Sequence, residues 1–301
     1  MAQTSRRPNP DRWQHLGSLH LRHSEVYALT SAVVVSKTAL WVVDPGFLPA
    51  EVDDIRHEVD RLIRRLAPRP RYLLLTHADF DHIVGVHAFP DFQVVAARAA
   101  IRRLVGRLQV AQAVDEELLI ERPKQAYQPF SVTHPVGQDP IRIDSATLYP
   151  GAGHTADGLL SWLRAADGQR LLVAGDYLSA LEPAHISRWS GVTATFERLA
   201  QLIGTSDRLL VGHGPATDRV GGFGRLRSDA GYLARLLGQR GDGLSQDRMM
   251  NDSLPPGPQT RTVLRYHKDN VRSLFHTIPQ SAARGLAGRM AAAGRGETPE
   301  G

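Results

Sequence analysis

The chain has 301 residues, 42% of them hydrophobic and 22% charged, with a formal net charge of +5 and a pI of about 9.8. This is the composition of an ordinary globular protein. The polar residues 1–10 and the lack of any apolar run of about 18 residues argue against a signal peptide and a membrane span, so we expect a cytoplasmic protein. The lack of cysteine excludes disulfides and thiolate ligands, so a metal would be bound by nitrogen and oxygen.

The first half of the chain alternates predicted strands with predicted helices. The strands are short runs rich in apolar and β-branched residues, and the first helix has apolar residues at helical spacing. The predicted elements are strands at 26–35, 39–43, 71–75 and 92–96 and helices at 49–67, 82–88 and 97–110. Residues 111–128 are polar and predicted to be irregular, with a short helix near 114–120 as the alternative.

The second half begins with strands and continues with strands between helices. The predicted elements are strands at 129–134, 140–143, 145–149, 159–163, 170–174 and 209–211 and helices at 193–203, 222–238 and 261–277. This order predicts an α/β (α+β) protein in which two packed sheets carry helices on their outer faces, an αββα sandwich. We expect a flexible arm over 1–20, one domain over 21–240, and over 241–301 a linker, a short helical extension and a frayed tail.

The stretch from His77 to His82 carries two histidines and two carboxylates, Asp79 and Asp81, directly after the apolar run 72–75. Such a cluster at the end of a buried strand would be repulsive or unsatisfied without a cation. A divalent metal accounts for all four side chains. A helix N-cap accounts for one aspartate only.

Metal-ligating residue types also follow four other predicted strands. They are Asp44, His154, Asp176 and His213. Glycines beside them allow the backbone to approach a site closely, and loops at the edge of a rigid sheet are common positions for binding groups.

These motifs, in this order, resemble those of the metallo-β-lactamase superfamily of metal-dependent hydrolases. The matching segments are His77-Ala78-Asp79-Phe80-Asp81-His82, Gly153-His154-Thr155, Gly175-Asp176, Gly212-His213-Gly214 and, upstream, Val43-Asp44-Pro45-Gly46. The resemblance covers about residues 25–240. It implies a metallo-β-lactamase fold, again an αββα sandwich, with two metal ions at the sheet edge.

The resemblance also implies a role for each matching residue. The first metal would be held by His77, Asp79 and His154, the second by Asp81, His82 and His213, with Asp176 bridging both and Asp44 orienting the histidine loop. The implied reaction is attack by a metal-bridged hydroxide on a small-molecule substrate, an ester, lactone, thioester or amide. Asp81 or Asp176 would take the proton of the nucleophile.

Asp79 departs from the common motif of the family, which has a second histidine at this position. Family members with aspartate or, among iron-dependent enzymes, glutamate also occur, so Asp79 is still expected to be a ligand. Two divalent ions, the carboxylates of Asp79, Asp81 and Asp176 and a bridging hydroxide would have a formal charge of zero in sum. A histidine in place of Asp79 would leave +1, so the sequence predicts a site less attractive to anions. Zinc is expected first on family grounds, and the added hard oxygen favours manganese or iron.

Other functions stay open at this point. The acidic residue at Asp79 is compatible with a di-iron oxidoreductase or oxygenase, although residues 241–301 are too short for a flavin domain. A phosphodiesterase or nuclease is compatible with the pI, but the arginines are scattered without interleaved aromatics, which disfavours a nucleic-acid partner. A degenerate scaffold is disfavoured because every ligand position holds a competent side chain. The oligomeric state is not predicted.

Several residues around these motifs allow a structural and a functional interpretation. Tyr177, His185, Arg188 and Trp189 either line the pocket or pack in an ordinary loop. His87 is expected to be structural. His267 and His276 are expected on a solvated helix face, with a lid over the site as the alternative.

Overall fold

A computed structural model describes residues 13–297 of the chain. Its first sheet has seven strands that lie in sequence order. They are β1 Trp13–Leu16, β2 Leu19–His23, β3 Thr30–Val35, β4 Leu40–Val43, β5 Arg71–Leu74, β6 Gln93–Ala97 and β7 His134–Val136. The strands from β1 to β4 are antiparallel, and those from β4 to β7 are parallel.

The second sheet has six strands in the order β13-β12-β11-β10-β9-β8. They are β8 Ile141–Ile143, β9 Ala146–Pro150, β10 Leu159–Arg164, β11 Arg170–Val173, β12 Arg208–Leu210 and β13 Thr217–Asp218. Only the β11–β12 pair is parallel among these described strands, and a helix forms its crossover connection.

Eight α-helices accompany the two sheets within residues 13–297. They are α1 Pro49–Ile63, α2 Phe80–Ile83, α3 Leu104–Leu118, α4 Val192–Thr205, α5 Arg219–Gly241, α6 Gln246–Asp252, α7 Arg261–Thr277 and α8 Gln280–Gly294. Helix α1 begins with Pro49 at its first turn and buries Val52, Ile55 and Val59 along one face. No helix in the described part of the chain is long and apolar enough to cross a membrane.

Alternation along the strands divides the apolar residues among three cores. In β10, Leu159 and Leu163 point into the core between the sheets, whereas Leu160 points to the outer face. The outer core of the first sheet is closed by α1 and α3, and that of the second sheet by α4, α5, α7 and α8. The structure therefore confirms the predicted αββα sandwich, with its four layers.

The first sheet begins earlier than the sequence predicted. Residues 1–12 of the expected arm over 1–20 lie outside the described residues, but Trp13–Leu16 forms β1 and pairs with β2. Leu19 and Leu21 are fully buried between the sheets. The histidines and arginine that alternate with these leucines gave the segment a polar composition and concealed a strand.

The C-terminal segment 241–301 is also more ordered than expected. Helix α6 lies in the predicted linker, and α8 occupies most of the predicted frayed tail. Small residues allow α8 to lie directly on α5: a Cβ added to Gly294 would meet the Cβ of Ala230 at 2.8 Å. The Ala/Gly-rich sequence that suggested fraying is the composition that this close helix contact requires. Similarly, α3 continues to Leu118, through residues predicted to be irregular.

One edge of the sandwich brings the two sheets together through backbone hydrogen bonds. The Thr30 N–H, at the start of β3, donates to the Gly212 carbonyl at 2.7 Å, and the Gly214 N–H donates to the Ala28 carbonyl at 2.9 Å. These bonds make Leu29 and His213 an isolated antiparallel bridge. The loops that follow β4, β5, β9, β11 and β12 meet at this edge.

Candidate metal centre

Asp44 connects the end of β4 to the loop that follows β5. Its carboxylate accepts hydrogen bonds from the Thr76 N–H at 2.9 Å, from the Thr76 hydroxyl at 2.7 Å and from His82 Nδ1 at 2.8 Å. Asp44 has a φ of 45°, so the chain turns sharply at this residue. The fully buried carboxylate thus fixes both the backbone and a ring of the histidine loop.

All seven residues predicted as metal ligands come together at this edge. On one side, His77 and His154 place their Nε2 atoms 3.6 Å from Oδ2 of Asp79. The same Nε2 atoms lie 3.6 and 3.3 Å from Oδ2 of Asp176. His77, Asp79 and His154 form one group that could hold a metal ion, and Asp176 belongs to a neighbouring group with His77 and His82.

A second group lies on the other side of Asp176. Oδ2 of Asp81 is 3.7 Å from Nε2 of His82 and 3.5 Å from Nε2 of His213. Both of these histidine atoms lie 3.2 Å from an oxygen of Asp176. Gly212 permits this approach, because a Cβ at that position would lie 2.0 Å from Oδ1 of Asp176. Asp176 is therefore shared by both groups.

The separations between these atoms suit coordination better than hydrogen bonding. Ligand atoms about 2.0–2.2 Å from a tetrahedral ion lie about 3.3–3.6 Å from one another, whereas N–H···O hydrogen bonds are about 2.7–3.2 Å long. Within the described residues, His77 Nε2, His154 Nε2 and Asp176 Oδ1 are buried without a hydrogen-bond partner. Unpaired buried acceptors that converge in this way fit one or two divalent ions.

The opposite ring nitrogen of every histidine in the cluster has a protein partner. Nδ1 of His77 donates to the Thr76 hydroxyl, Nδ1 of His154 to the His185 carbonyl and Nδ1 of His213 to the Tyr27 carbonyl, at 3.1, 3.0 and 2.8 Å. His82 donates to Asp44 in the same way. These contacts leave each Nε2 lone pair directed into the cluster, which is the arrangement that metal-ligating histidines show.

The pKa shifts of the clustered side chains indicate that the cluster favours a positive charge. Burial lowers the pKa of His213, but the carboxylates of Asp176 and Asp81 outweigh burial and raise it to about 9. Burial raises the pKa of Asp176, but His213 and His82 outweigh it and hold the pKa far below its usual range. The carboxylates thus favour a cation at this position, either as protons on the imidazoles or as bound metal.

Comparison with known proteins identifies the family of the chain. A sequence model of the Metallo-beta-lactamase superfamily matches residues 27–225, which is more than half of the chain. The chain belongs to the metallo-β-lactamase superfamily. The matched range contains all seven clustered residues and Asp44.

Individual relatives of this superfamily member are distant. "Probable metallo-hydrolase Rv2300c" of Mycobacterium tuberculosis and "Probable metallo-hydrolase Mb2322c" of Mycobacterium bovis are both 31% identical over 125 residues, 38% of this chain and 38% of the relative. The chain thus aligns with less than half of the length of these curated relatives. A solved metallo-beta-lactamase from Cronobacter sakazakii with a HARLDQ motif is 17% identical, with a TM-score of 0.48 over 94% of this chain and 97% of that chain.

Two arginines that the sequence analysis did not single out contact Asp79, the expected ligand that departs from the common motif of the metallo-β-lactamase superfamily. Oδ1 of Asp79 lies 2.6 Å from a terminal nitrogen of Arg103 and 3.1 Å from one of Arg107. Arg103 also pairs with buried Asp157, whose other oxygen accepts the Ala78 N–H at 2.8 Å. Together, the side chains of Arg103, Arg107 and Asp157 bring one net positive charge to the site. They offset the negative charge of Asp79, which the sequence analysis counted without these neighbours.

The loop after Asp176 closes one side of the centre. His185 stacks on Tyr266 of α7, with ring centroids 4.4 Å apart, and its ring lies 5.5 Å from that of His154. The buried Tyr177 hydroxyl accepts the His154 N–H at 2.8 Å. Trp189 is buried and donates to the Asn270 carbonyl of α7, so it packs against the helix, and Arg188 is exposed.

Three other histidines considered in the sequence analysis, His87, His267 and His276, lie outside the cluster. His87 bonds to the Val84 carbonyl at 2.9 Å, in agreement with a structural role. His267 is fully buried and bonds to the Tyr232 hydroxyl and the Met249 carbonyl, so the expected solvated position is wrong for this residue. His276 is exposed, as expected.

Proposed function

We propose that this protein is a dinuclear-metal-dependent hydrolase that acts on a small ester, lactone, thioester or amide. The proposal rests chiefly on one observation: the Nε2 atoms of four histidines lie 3.2–3.7 Å from carboxylate oxygens of Asp79, Asp81 and Asp176. Membership of the superfamily supports it. Zinc is the proposed metal, with manganese or iron as the alternatives that Asp79 favours.

The proposed ligands divide into two sets. His77, Asp79 and His154 would hold one ion, Asp81, His82 and His213 would hold the other, and Asp176 would bind both. When bound, two divalent ions lower the pKa of water to about 7 and polarise the substrate carbonyl.

The side chains of the protein have distinct tasks in this proposal. Asp81 or Asp176 would accept the proton released from the attacking water. Asp44 keeps His82 in the tautomer that presents Nε2 to the cluster, and the His185 carbonyl does the same for His154. No serine or cysteine nucleophile is required.

A test combines metal analysis with a substrate panel. The protein would be purified without added metal, loaded separately with zinc, manganese or iron(II), and assayed on chromogenic esters, lactones, thioesters, amides and phosphodiesters. We expect two metal equivalents per chain and turnover of at least one carboxylic substrate, lost on chelation and restored by metal. Two bound irons with oxygen-dependent turnover and no hydrolysis, or activity on phosphodiesters alone, would contradict the proposal.

An Asp176→Asn variant separates this centre from other metal sites. Asp176 is shared by both clustered groups, so its loss should remove activity and about half or more of the bound metal. Asp218→Asn is a matched control, because Asp218 caps α5 away from the cluster through its bond to the Gly221 N–H. Equal activity in the two variants would contradict the proposed site.

A further inference from the structure

The two arginines beside Asp79 differ in how completely they are paired. Arg103 is held between two carboxylates, Asp79 and Asp157, one on each of two loops that surround the candidate centre. Arg107 contacts Asp79 through one terminal nitrogen at 3.1 Å, and no other side-chain partner is found for it among the described residues. The Arg107 side chain is 36% exposed, against 22% for Arg103.

The position of both arginines is set by α3 and the turn that precedes it. Leu104 and Leu108 are buried against the first sheet, which fixes the rotation of the helix. Arg103 and Arg107 are four residues apart and therefore lie on one side of it, facing Asp79. Oδ2 of Asp79 faces His77 and His154, while Oδ1 faces the arginines. The Asp79 carboxylate therefore lies between the guanidinium groups and these two histidines.

This pairing leaves unused hydrogen-bond donors on Arg107, next to Asp79. A guanidinium has five N–H donors in a planar fork that matches a carboxylate or a phosphoryl group. Asp79 uses one terminal nitrogen of Arg107, and the exposed remainder of the fork can donate to a ligand. Asp157 and Asp79 together balance the formal charges of Arg103 and Arg107, so the capacity for an anion lies in the N–H donors of Arg107 that Asp79 does not use.

We propose that Arg107, steadied by the Arg103–Asp79–Asp157 network, recognises an anionic group, a carboxylate or phosphoryl, on the substrate of the candidate metal centre. This inference rests on the proposed hydrolase function for the site and adds the substrate class: acidic esters, lactones, thioesters or amides. Arg107 is a specificity residue in this view, and Arg103 is a positioning residue.

The binding experiment uses inorganic phosphate and does not depend on turnover. Phosphate affinity would be measured by calorimetry on zinc-loaded full-length protein at constant ionic strength, with zinc content checked for each variant. R107Q should bind phosphate about tenfold more weakly than wild type, and R107K should lie between them. R102Q is the matched control, because Arg102 is exposed, forms no ion pair with any described residue and lies in the same turn as Arg103. We expect it to stay close to wild type.

The kinetic experiment compares two chromogenic esters that differ only by a carboxylate, an acetyl ester and the corresponding succinyl half-ester. R107Q should lower kcat/KM for the acidic ester about tenfold relative to the neutral ester, and R102Q should leave that ratio unchanged. A purely structural role for Arg107 would affect both esters equally.

The outcomes separate the inference from the proposed function. Equal phosphate affinity in zinc-loaded R107Q and R102Q, or an unchanged ester ratio, would overturn the role of Arg107. Loss of zinc from R107Q with unchanged phosphate affinity of the loaded fraction would overturn it as well. Arg107-dependent phosphate binding without hydrolysis of any substrate would support the anion site and contradict the hydrolase.

Discussion

Asp44 is a single buried residue that organises the histidine loop through three hydrogen bonds. In Asp44→Asn an amide N–H would face one of these three donors, so His82 or Thr76 would lose its partner. We expect metal affinity to fall about 10–100-fold, as for other groups that orient metal-binding histidines. Competition with a chromophoric chelator measures this change.

The control for this prediction is Asp53→Asn on α1. Asp53 is exposed and forms no ion pair within residues 13–297, and its replacement changes the net charge equally. If both variants bound metal with the same affinity, Asp44 would not orient the cluster.

Asp79 is the residue at which metal preference should be adjustable. Asp79→His replaces a hard oxygen by nitrogen, so the affinity for zinc should rise relative to that for manganese. The same change leaves Arg107 beside an imidazole instead of a carboxylate. We therefore expect the double variant D79H/R107Q to bind zinc more tightly than D79H.

Metal competition measured on D79H, D79H/R107Q and the control D79H/R102Q tests both statements. An unchanged zinc-to-manganese ratio in D79H would remove Asp79 from the proposed ligand set. If the two double variants bound zinc equally, the charge of Arg107 would not act on this position.

At this scale the sequence predicted the clustered residues but not their neighbours. Each of the candidate residues outside the histidine loop follows a predicted strand: Asp44, His154, Asp176 and His213. Strands that end at the same edge of a sandwich bring the residues after them close together. Arg103 and Arg107 fall inside a predicted helix, with the spacing of one helical turn. Which loop that side of the helix faces depends on how α3 packs on the sheet, and this information is not local in sequence.

Helix α7 is the element that fixes the loop carrying His185. Asn270 accepts the Ile186 N–H at 2.6 Å and donates to the Ala184 carbonyl at 2.8 Å, so it brackets the residue whose carbonyl holds His154. Asn270→Ala would leave both buried backbone groups unsatisfied. We expect a loss of about 2–4 kcal/mol in the free energy of unfolding.

Urea unfolding would measure this loss, and amide hydrogen exchange at Ile186 would locate it. Arg272→Gln is a suitable control on the same helix, because Arg272 is exposed and pairs only with Asp269 among the described residues. Equal stability of the two variants would show that the loop is held by other contacts.

Composition was a poor guide to the elements at both ends of the chain. Strand β1 is amphipathic, and helix α8 is rich in alanine and glycine, so both resembled flexible segments. Their order comes from contacts with other elements: β1 pairs with the neighbouring β2, and α8 packs on α4 and α5. The central elements were predicted because their hydrophobic periodicity is strong and local.

At the scale of the whole molecule, a buried carboxylate on α5 should make stability depend on pH. Asp229 is buried, its Oδ2 has no hydrogen-bond partner among residues 13–297, and Glu182 and Arg225 are the charged groups that act on it. Burial raises the pKa of Asp229 to about 7 from an ordinary value of 3.8. The folded state therefore binds more protons between these values, and stability falls as the pH rises from about 4 to 7.

Asp229→Asn removes this dependence while keeping the shape of the side chain. We expect the variant to be more stable than the unmodified protein by about 2–4 kcal/mol at pH 8 and equal to it near pH 4. Urea unfolding of both proteins in EDTA, so that metal does not contribute, provides the measurement. A difference that did not change with pH would contradict a protonated Asp229.

The backbone bridge between Leu29 and His213 has a consequence for the order of assembly during synthesis. The His77–His82 ligands leave the ribosome early, whereas His154, Asp176 and His213 follow from the other sheet. Neither half carries a complete set for either ion, and His213 takes its position only when its backbone pairs with the segment before β3. We therefore expect high-affinity metal binding only after the two halves have docked. An ion bound there would stabilise the contact between them.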